Sequence, residues 1–178
     1  MKTPNNALHL YNFKPHEFGP TPQRAEDWWP NMDPRALVLI DVFRSNWGQR
    51  VRVSRHEAAL GRHDGPDDEG DHNIDFHEYV LAIDCFPEGV ETREDAEEAV
   101  ELAKQVGFTA IGAYPDWRGG FGMHLGTRRS REPGYPALWG GVQGGNSGQV
   151  YVAMNDALLR LPSRQSKQTE PDGDEDGT

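Results

Sequence analysis

The 178-residue chain is long enough for one domain with a sizeable hydrophobic core. Its formal net charge of -11 argues against a nucleic-acid partner, because phosphate binding depends on clustered lysine and arginine side chains. Residues 1–10 lack an apolar core of signal-peptide length and no apolar run could span a bilayer, so we expect neither a signal peptide nor a membrane contact.

Residues 1–32 are rich in proline, asparagine and aromatic residues. Phe13, Phe18, Trp28 and Trp29 are spread among turn-forming residues, which predicts an arm packed over the core by its aromatic side chains. A docking surface for a peptide or glycan is the alternative interpretation of this segment.

A first helix is predicted to begin after Asp33, because an N-cap oxygen acceptor is followed by proline at the first helical position. Gly48 marks its end. Apolar residues recur between them at helical spacing, at Leu37, Ile40, Phe43 and Trp47. Residues 51–54 then alternate in polarity, which predicts a strand with one face on the core.

Residues 55–75 change character, with glycines and a proline among many acids, and predict a long surface loop. We expect this loop to act as a solvated lid beside a cleft. A calcium loop is the alternative interpretation, but the acids of this loop do not follow the ligand order of an EF-hand. These acids are Asp64, Asp67, Asp68, Glu69 and Asp71.

The apolar run at 79–85 predicts a buried central strand, with His77 and Asp84 near its two ends. Cys85 is the only cysteine, so no intramolecular disulfide can form. In this run we interpret Cys85 as a small buried hydrophobe rather than a reactive thiol.

A second helix should begin at Thr92, where an acid at the third helical position resembles a capping box, and should end at Gly107. Residues 108–114 and 121–125 then predict two antiparallel strands joined by a turn, and this hairpin presents His124.

The last part of the chain carries weaker signals. Residues 133–148 are predicted to be turn-rich and anchored by Trp139, and residues 150–161 to form a strand or a helix. Residues 162–178 predict a disordered acidic tail, because they hold too few apolar side chains to bury. The fold expected for residues 33–161 is a single α+β domain, a small antiparallel sheet flanked by helices.

His77, Asp84 and His124 together offer two imidazoles and one carboxylate. This set suits zinc with one position left open for water, which favours metal-assisted hydrolysis. The alternative is that both histidines are interior residues with satisfied hydrogen bonds and no metal.

These residues resemble the zinc D-Ala-D-Ala carboxypeptidases and murein endopeptidases, whose fold is shared with the hedgehog signalling domain. The match to the family's metal motif uses His77, Ala82 and Asp84, and its closing turn and hairpin are similar to 112–115 and 121–124. The likeness begins near 13–18, where it is similar to the opening of phage-borne members, and continues in order to Trp139.

The resemblance implies that His77, Asp84 and His124 bind zinc and that the substrate is a peptide stem of the bacterial cell wall. Arg55 corresponds to the family's arginine that pairs with a substrate carboxylate, a role that suits a bidentate guanidinium. It also implies action in a virion or at the host cell wall if the protein is phage-encoded.

The chain departs from the family at the catalytic acid. Family members carry an acid at one of two positions, which Phe121 and Gly126 occupy here. The proton carrier would then be Asp116 on the hairpin turn, or a loop acid such as Asp75. Asp116 can instead cap its turn.

Asp75 and Val80 also stand where the family has serine and glycine. Two classes of function therefore stay open. One is a zinc-dependent peptidoglycan peptidase. The other is a binding or structural protein, for example a virion component, that keeps the fold and the zinc without turnover.

Overall fold

A computed structural model describes residues 8–18, 29–56, 59, 61–128, 136–144 and 148–167. Of these, Lys167 is described by its backbone only. The described residues form an α+β fold, as predicted. The strands are β1 Val51–Val53, β2 Ala82–Pro87, β3 Ala110–Tyr114, β4 Gly122–Gly126, β5 Ala137–Gln143 and β6 Gln149–Val152. The helices are α1 Pro34–Trp47, α2 Ile74–His77, α3 Arg93–Val106, α4 Met154–Leu158 and α5 Arg164–Lys167.

The strands make one sheet in the order β1-β2-β4-β3-β5-β6. The prediction of an antiparallel sheet is wrong at one pair, because β3 and β5 run parallel. The chain reverses after β4 and places β5 on the far side of β3, so that β5 points the same way as β3. The sheet is therefore mixed.

Local capping explains the two long helices, whose predicted ends are confirmed. The Asp33 side chain accepts a hydrogen bond from the Arg35 backbone, and Gly48 ends α1 with a left-handed φ of 73°. In α3, Thr92 and Asp95 form a reciprocal capping box, and Gly107 ends the helix with φ 109°.

One face of the sheet carries the hydrophobic core. Alternate strand residues on this face are buried, and α1 packs on β2 and β4 while α3 packs on β3. Cys85 lies among them with no exposed surface, as predicted. The core side chains of the sheet include Ile83, Cys85, Ile111, Met123 and Leu125.

The N-terminal aromatic residues complete this core. Phe13, Phe18 and Trp29 are buried, and their rings meet edge to face at centroid distances of 5.6 and 5.2 Å. The predicted packing of the arm is confirmed for these three residues, whereas Trp28 lies outside the described residues.

Other segments differ from their predictions. Strand β2 begins at Ala82, later than predicted, and His77 lies in a short helix, α2, that Asn73 caps. The segment predicted to be turn-rich contains β5, and the next one contains β6 followed by α4.

The predicted disordered tail holds α5, which Arg164 ties to Asp95 at 2.6 Å. Residues 168–178 lie outside the described part. Within the described ranges, no helix has the length and apolar composition that a bilayer crossing requires.

The opposite face of the sheet carries polar and aromatic side chains. Asp84 pairs with His124, His124 with Gly112 and Gly112 with Trp139, so a row of paired residues crosses four neighbouring strands. Side chains of directly paired residues point to the same face of a sheet. This row therefore brings an acid, an imidazole and an indole together.

Candidate metal centre

Three ligand atoms converge on this face: Nε2 of His72, Oδ1 of Asp84 and Nδ1 of His124. His72 Nε2 lies 3.3 Å from the other two atoms, and the Asp84 and His124 atoms are 3.0 Å apart. Zinc bonds of 2.0–2.1 Å at tetrahedral angles would separate neighbouring ligand atoms by about 3.3 Å. The three atoms thus have the spacing of three corners of a metal tetrahedron.

The structure unites Asp84 and His124 as predicted, but the second imidazole belongs to His72 rather than His77. His77 lies on α2 and donates from Nε2 to the Glu69 carbonyl at 3.1 Å. The sequence motif that selected His77 assumed that this residue borders a strand beginning at position 79. The structure instead places His77 in helix α2, which Asn73 caps, and the strand begins only at Ala82.

Backbone and side-chain hydrogen bonds hold His72 in place. The Arg62 N–H donates to the His72 carbonyl, and the Leu81 N–H donates to the Asp71 carbonyl, both at 2.8 Å. The fully buried Asn73 amide donates to the carbonyls of Gly65 and Asp68 at 2.7 Å each. These contacts fold the acidic loop on itself and, through Leu81, hold it at the start of β2, and no periodic sequence pattern encodes them.

Asp71 orients the second histidine. Its Oδ2 lies 3.0 Å from His124 Nε2, and its side chain is only 3% exposed. When Nε2 donates its proton to Asp71, Nδ1 of His124 is left to bind a metal. Sequence reasoning missed Asp71, because it is one of several acids in a loop interpreted as a solvated lid.

The charges of this group favour a cation. Burial alone would lower the pKa of His124, but its hydrogen bonds to Asp71 and Asp84 outweigh that effect and raise the pKa to about 9. Burial would raise the pKa of Asp84, yet the neighbouring imidazoles hold it well below its usual range. Asp71, which is buried, and Asp84, which is 15% exposed, therefore place two negative charges around His124, and a divalent metal bound there would take the place of the proton on His124 Nδ1.

The ligand set alone does not choose the metal. Two imidazoles and a carboxylate suit several divalent first-row ions, with zinc among them. Since protein ligands take three corners, the fourth would remain open to water or to a substrate oxygen.

The centre lies in a cleft of about 950 Å³. Trp139 forms part of its wall, with its ring 5.1 Å from that of His124. A side-chain carbon at Gly112 would come within 2.7 Å of this indole, so glycine is needed for Trp139 to pack this closely on β3. The other aromatic residues lining the cleft are Phe86, Tyr114, Trp117 and Tyr151.

Tyr114 is fixed by two tryptophans. Its ring stacks on Trp117 at a centroid distance of 4.0 Å, and its hydroxyl accepts a hydrogen bond from Trp139 Nε1 at 2.8 Å. Burial raises the pKa of Tyr114 well above its usual range, and this hydrogen bond offsets only part of that rise. The phenol therefore keeps its proton at neutral pH.

Three other predicted residues lie outside the residues that line the cleft. Asp116 accepts a hydrogen bond from the Gln143 backbone at 3.3 Å, so its carboxylate contacts the end of β5. Arg55 is exposed to solvent. Asp75 contacts His63 at 2.7 Å in an exposed pair.

Comparisons of this chain with protein-family models, curated proteins and solved structures gave no match. Asp84 and His124 are the predicted site residues that the structure brings together, and His72 and Asp71 are the additional ones. Trp139, expected only as an anchor of its segment, also contacts the centre.

Proposed function

We propose that the protein is a zinc-dependent peptidase that hydrolyses peptide stems or cross-links of bacterial peptidoglycan, in the manner of a phage-borne enzyme. The observation that carries the proposal is the convergence of His72, Asp84 and His124 at tetrahedral spacing inside a large cleft. The resemblance of the sequence to murein peptidases supplies the substrate class.

The residues of the centre would have two roles, metal binding and orientation of a metal ligand. His72, Asp84 and His124 would hold the zinc, while Asp71 fixes the ring orientation of His124. When bound, zinc would polarise the scissile carbonyl and make a water molecule more acidic. The aromatic wall would limit the access of bulk water to the reacting bond.

Arginines around the cleft support a substrate that carries carboxylates. Arg62, Arg118 and Arg128 line it in a chain whose overall charge is -11. Arg128 lies over the Trp139 ring at 5.4 Å and approaches Asp71 at 3.6 Å, so its guanidinium is held at the centre. A guanidinium pairs well with the carboxylates of a peptide stem. Arg128 therefore takes over the recognition role expected of Arg55.

The second candidate function is metal binding without catalysis, which the small number of acids at the centre favours. Among the described residues, Asp71 and Asp84 are the carboxylates that line the cleft, and both contact histidines. Phe121, at one family position for the acid, is 5% exposed and packs in the core. A zinc-binding or virion-associated protein without turnover would have this composition.

Muropeptide release from purified sacculi separates the two functions. The zinc-loaded protein, a chelated sample and the variants His72→Ala and His77→Ala would be compared by mass spectrometry. We expect new stem-peptide fragments from the parent and from His77→Ala, and none from the chelated sample or from His72→Ala.

Zinc content measured on the same samples completes the experiment. A parent protein that holds one zinc but releases no fragment would contradict the peptidase proposal and favour the binding protein. Fragments that persist after chelation would contradict a metal-dependent reaction. Loss of zinc in His77→Ala, with retention in His72→Ala, would reverse the ligand assignment.

A further inference from the structure

We infer that the Tyr114 hydroxyl donates a hydrogen bond to the scissile carbonyl oxygen as negative charge develops on that oxygen. The inference rests on the proposed peptide hydrolysis and assigns a catalytic residue to the same cleft. It follows from the position of the hydroxyl, from its unused proton and from the rigid support of its ring.

Tyr114 lies on the face of the sheet that carries the metal centre. Gly112 on β3 pairs with His124, and Tyr114 follows Gly112 by one strand period, so its side chain projects from the same face. Trp139 connects the two, because its ring contacts that of His124 while its Nε1 donates to the Tyr114 hydroxyl. Both Tyr114 and His124 line the cleft.

The hydroxyl has a proton to give. A phenol oxygen can accept and donate at the same time, and the indole of Trp139 uses the accepting side of Tyr114. Within the part of the chain that the structure describes, the recorded hydrogen bonds give this hydroxyl no acceptor. Its proton is therefore available to an oxygen that enters the cleft.

The ring of Tyr114 is held before any substrate arrives. Trp117 stacks on it with an interplanar angle of 13°, and the side chain is only 3% exposed. Gly141 leaves room for the ring, since a side-chain carbon there would collide with it. A donor that is already oriented stabilises developing charge without the cost of reorganisation.

Hydrolysis of the peptide bond needs no proton from Tyr114, because the attacking water supplies both protons that the products gain. Water adds to the carbonyl carbon, the C–N bond then breaks, and the protons of the water end on the new carboxyl group and the departing amine. The carbonyl oxygen is negative only between these events. Tyr114 keeps its O–H bond throughout, in agreement with its raised pKa.

Binding of a phosphinate dipeptide to the zinc-loaded protein, measured by calorimetry, tests the inference separately from turnover. The phosphinate carries a negative oxygen where the carbonyl oxygen would be, whereas a reduced-amide dipeptide has no oxygen there. We expect Tyr114→Phe to weaken phosphinate binding by about 10²-fold and to leave reduced-amide binding unchanged. Tyr11→Phe makes the same chemical change at an 88% exposed site and should alter neither.

Each result supports or overturns the inference. Equal phosphinate affinity in the parent and in Tyr114→Phe, or no phosphinate binding by the zinc-loaded parent, would overturn it. Parallel weakening of both dipeptides would also overturn it, because that pattern indicates a general structural role. A parent that fails to cleave sacculi but shows the expected selectivity would contradict the peptidase proposal and leave the oxyanion contact established.

Discussion

The Asp71 carboxylate lies 3.0 Å from His124 Nε2 and also 3.0 Å from the point where a side-chain carbon at Gly126 would stand. Asp71 reaches the same space from the loop before the central strand. The loop before the central strand thus brings a carboxylate to the end of β4, beside the metal-binding histidine.

The contact between Asp71 and His124 predicts that Asp71→Asn lowers the metal affinity. Removing the charge behind a metal-bound imidazole weakens binding by about 10- to 100-fold in comparable sites. We expect a loss of that size, measured by competition with a zinc-binding dye, and a far smaller change for Asp67→Asn at an exposed site of the same loop. Equal zinc affinity in both variants would show that Asp71 does not support His124.

Metal removal should lower the thermal stability of the parent protein. A ligand that binds only the folded state stabilises it by about 4 kcal/mol at a free concentration of 1,000 times its Kd. We expect a chelator to lower the Tm of the parent and to leave the Tm of His72→Ala unchanged. If the parent melts at one temperature with and without chelator, His72 and His124 are interior histidines without a metal.

The close approach of Trp139 to Gly112 predicts that Gly112→Ala is destabilising. The added methyl would come within 2.7 Å of the indole and force it away from His124. We expect a loss of about 1–3 kcal/mol in the free energy of unfolding. In a background with Trp139→Leu the same substitution should cost less, because the indole is gone. Equal costs in the two backgrounds, measured by urea unfolding, would contradict this packing.

The Asp95 capping box predicts a pH dependence of stability. Burial would raise the pKa of Asp95, but hydrogen bonds from Thr92 and Arg164 hold it well below its usual range. A carboxylate with a lowered pKa in the folded state stabilises the protein above its unfolded pKa of about 3.9, and this contribution is lost as the pH falls below that value.

Asp95→Asn should therefore cost about 1 kcal/mol at neutral pH, and the difference from the parent should shrink below about pH 4. Urea unfolding from pH 7 to pH 3 measures both values. Glu98 lies on the same helix and is 69% exposed, so Glu98→Gln should change the free energy of unfolding little at any pH. A cost for Asp95→Asn that does not change with pH would exclude an ionised cap.

Local signals in the sequence determined the two long helices and part of the metal centre. Asp33, Thr92 and the following glycines define α1 and α3, because a helix end is decided by the hydrogen bonds of its own few residues. Asp84 and His124 could be found because each lies in a short apolar strand. Sequence alternation gives the face of a strand residue.

Only the tertiary structure decided the rest of the centre. His72 and Asp71 reach it because Asn73 ties the acidic loop together and because Arg62 and Leu81 bond to its backbone. Strand β5 forms because it pairs with β3, which the glycine-rich sequence around Trp139 does not reveal. These contacts join residues that are distant along the chain, and a local pattern carries no record of such partners.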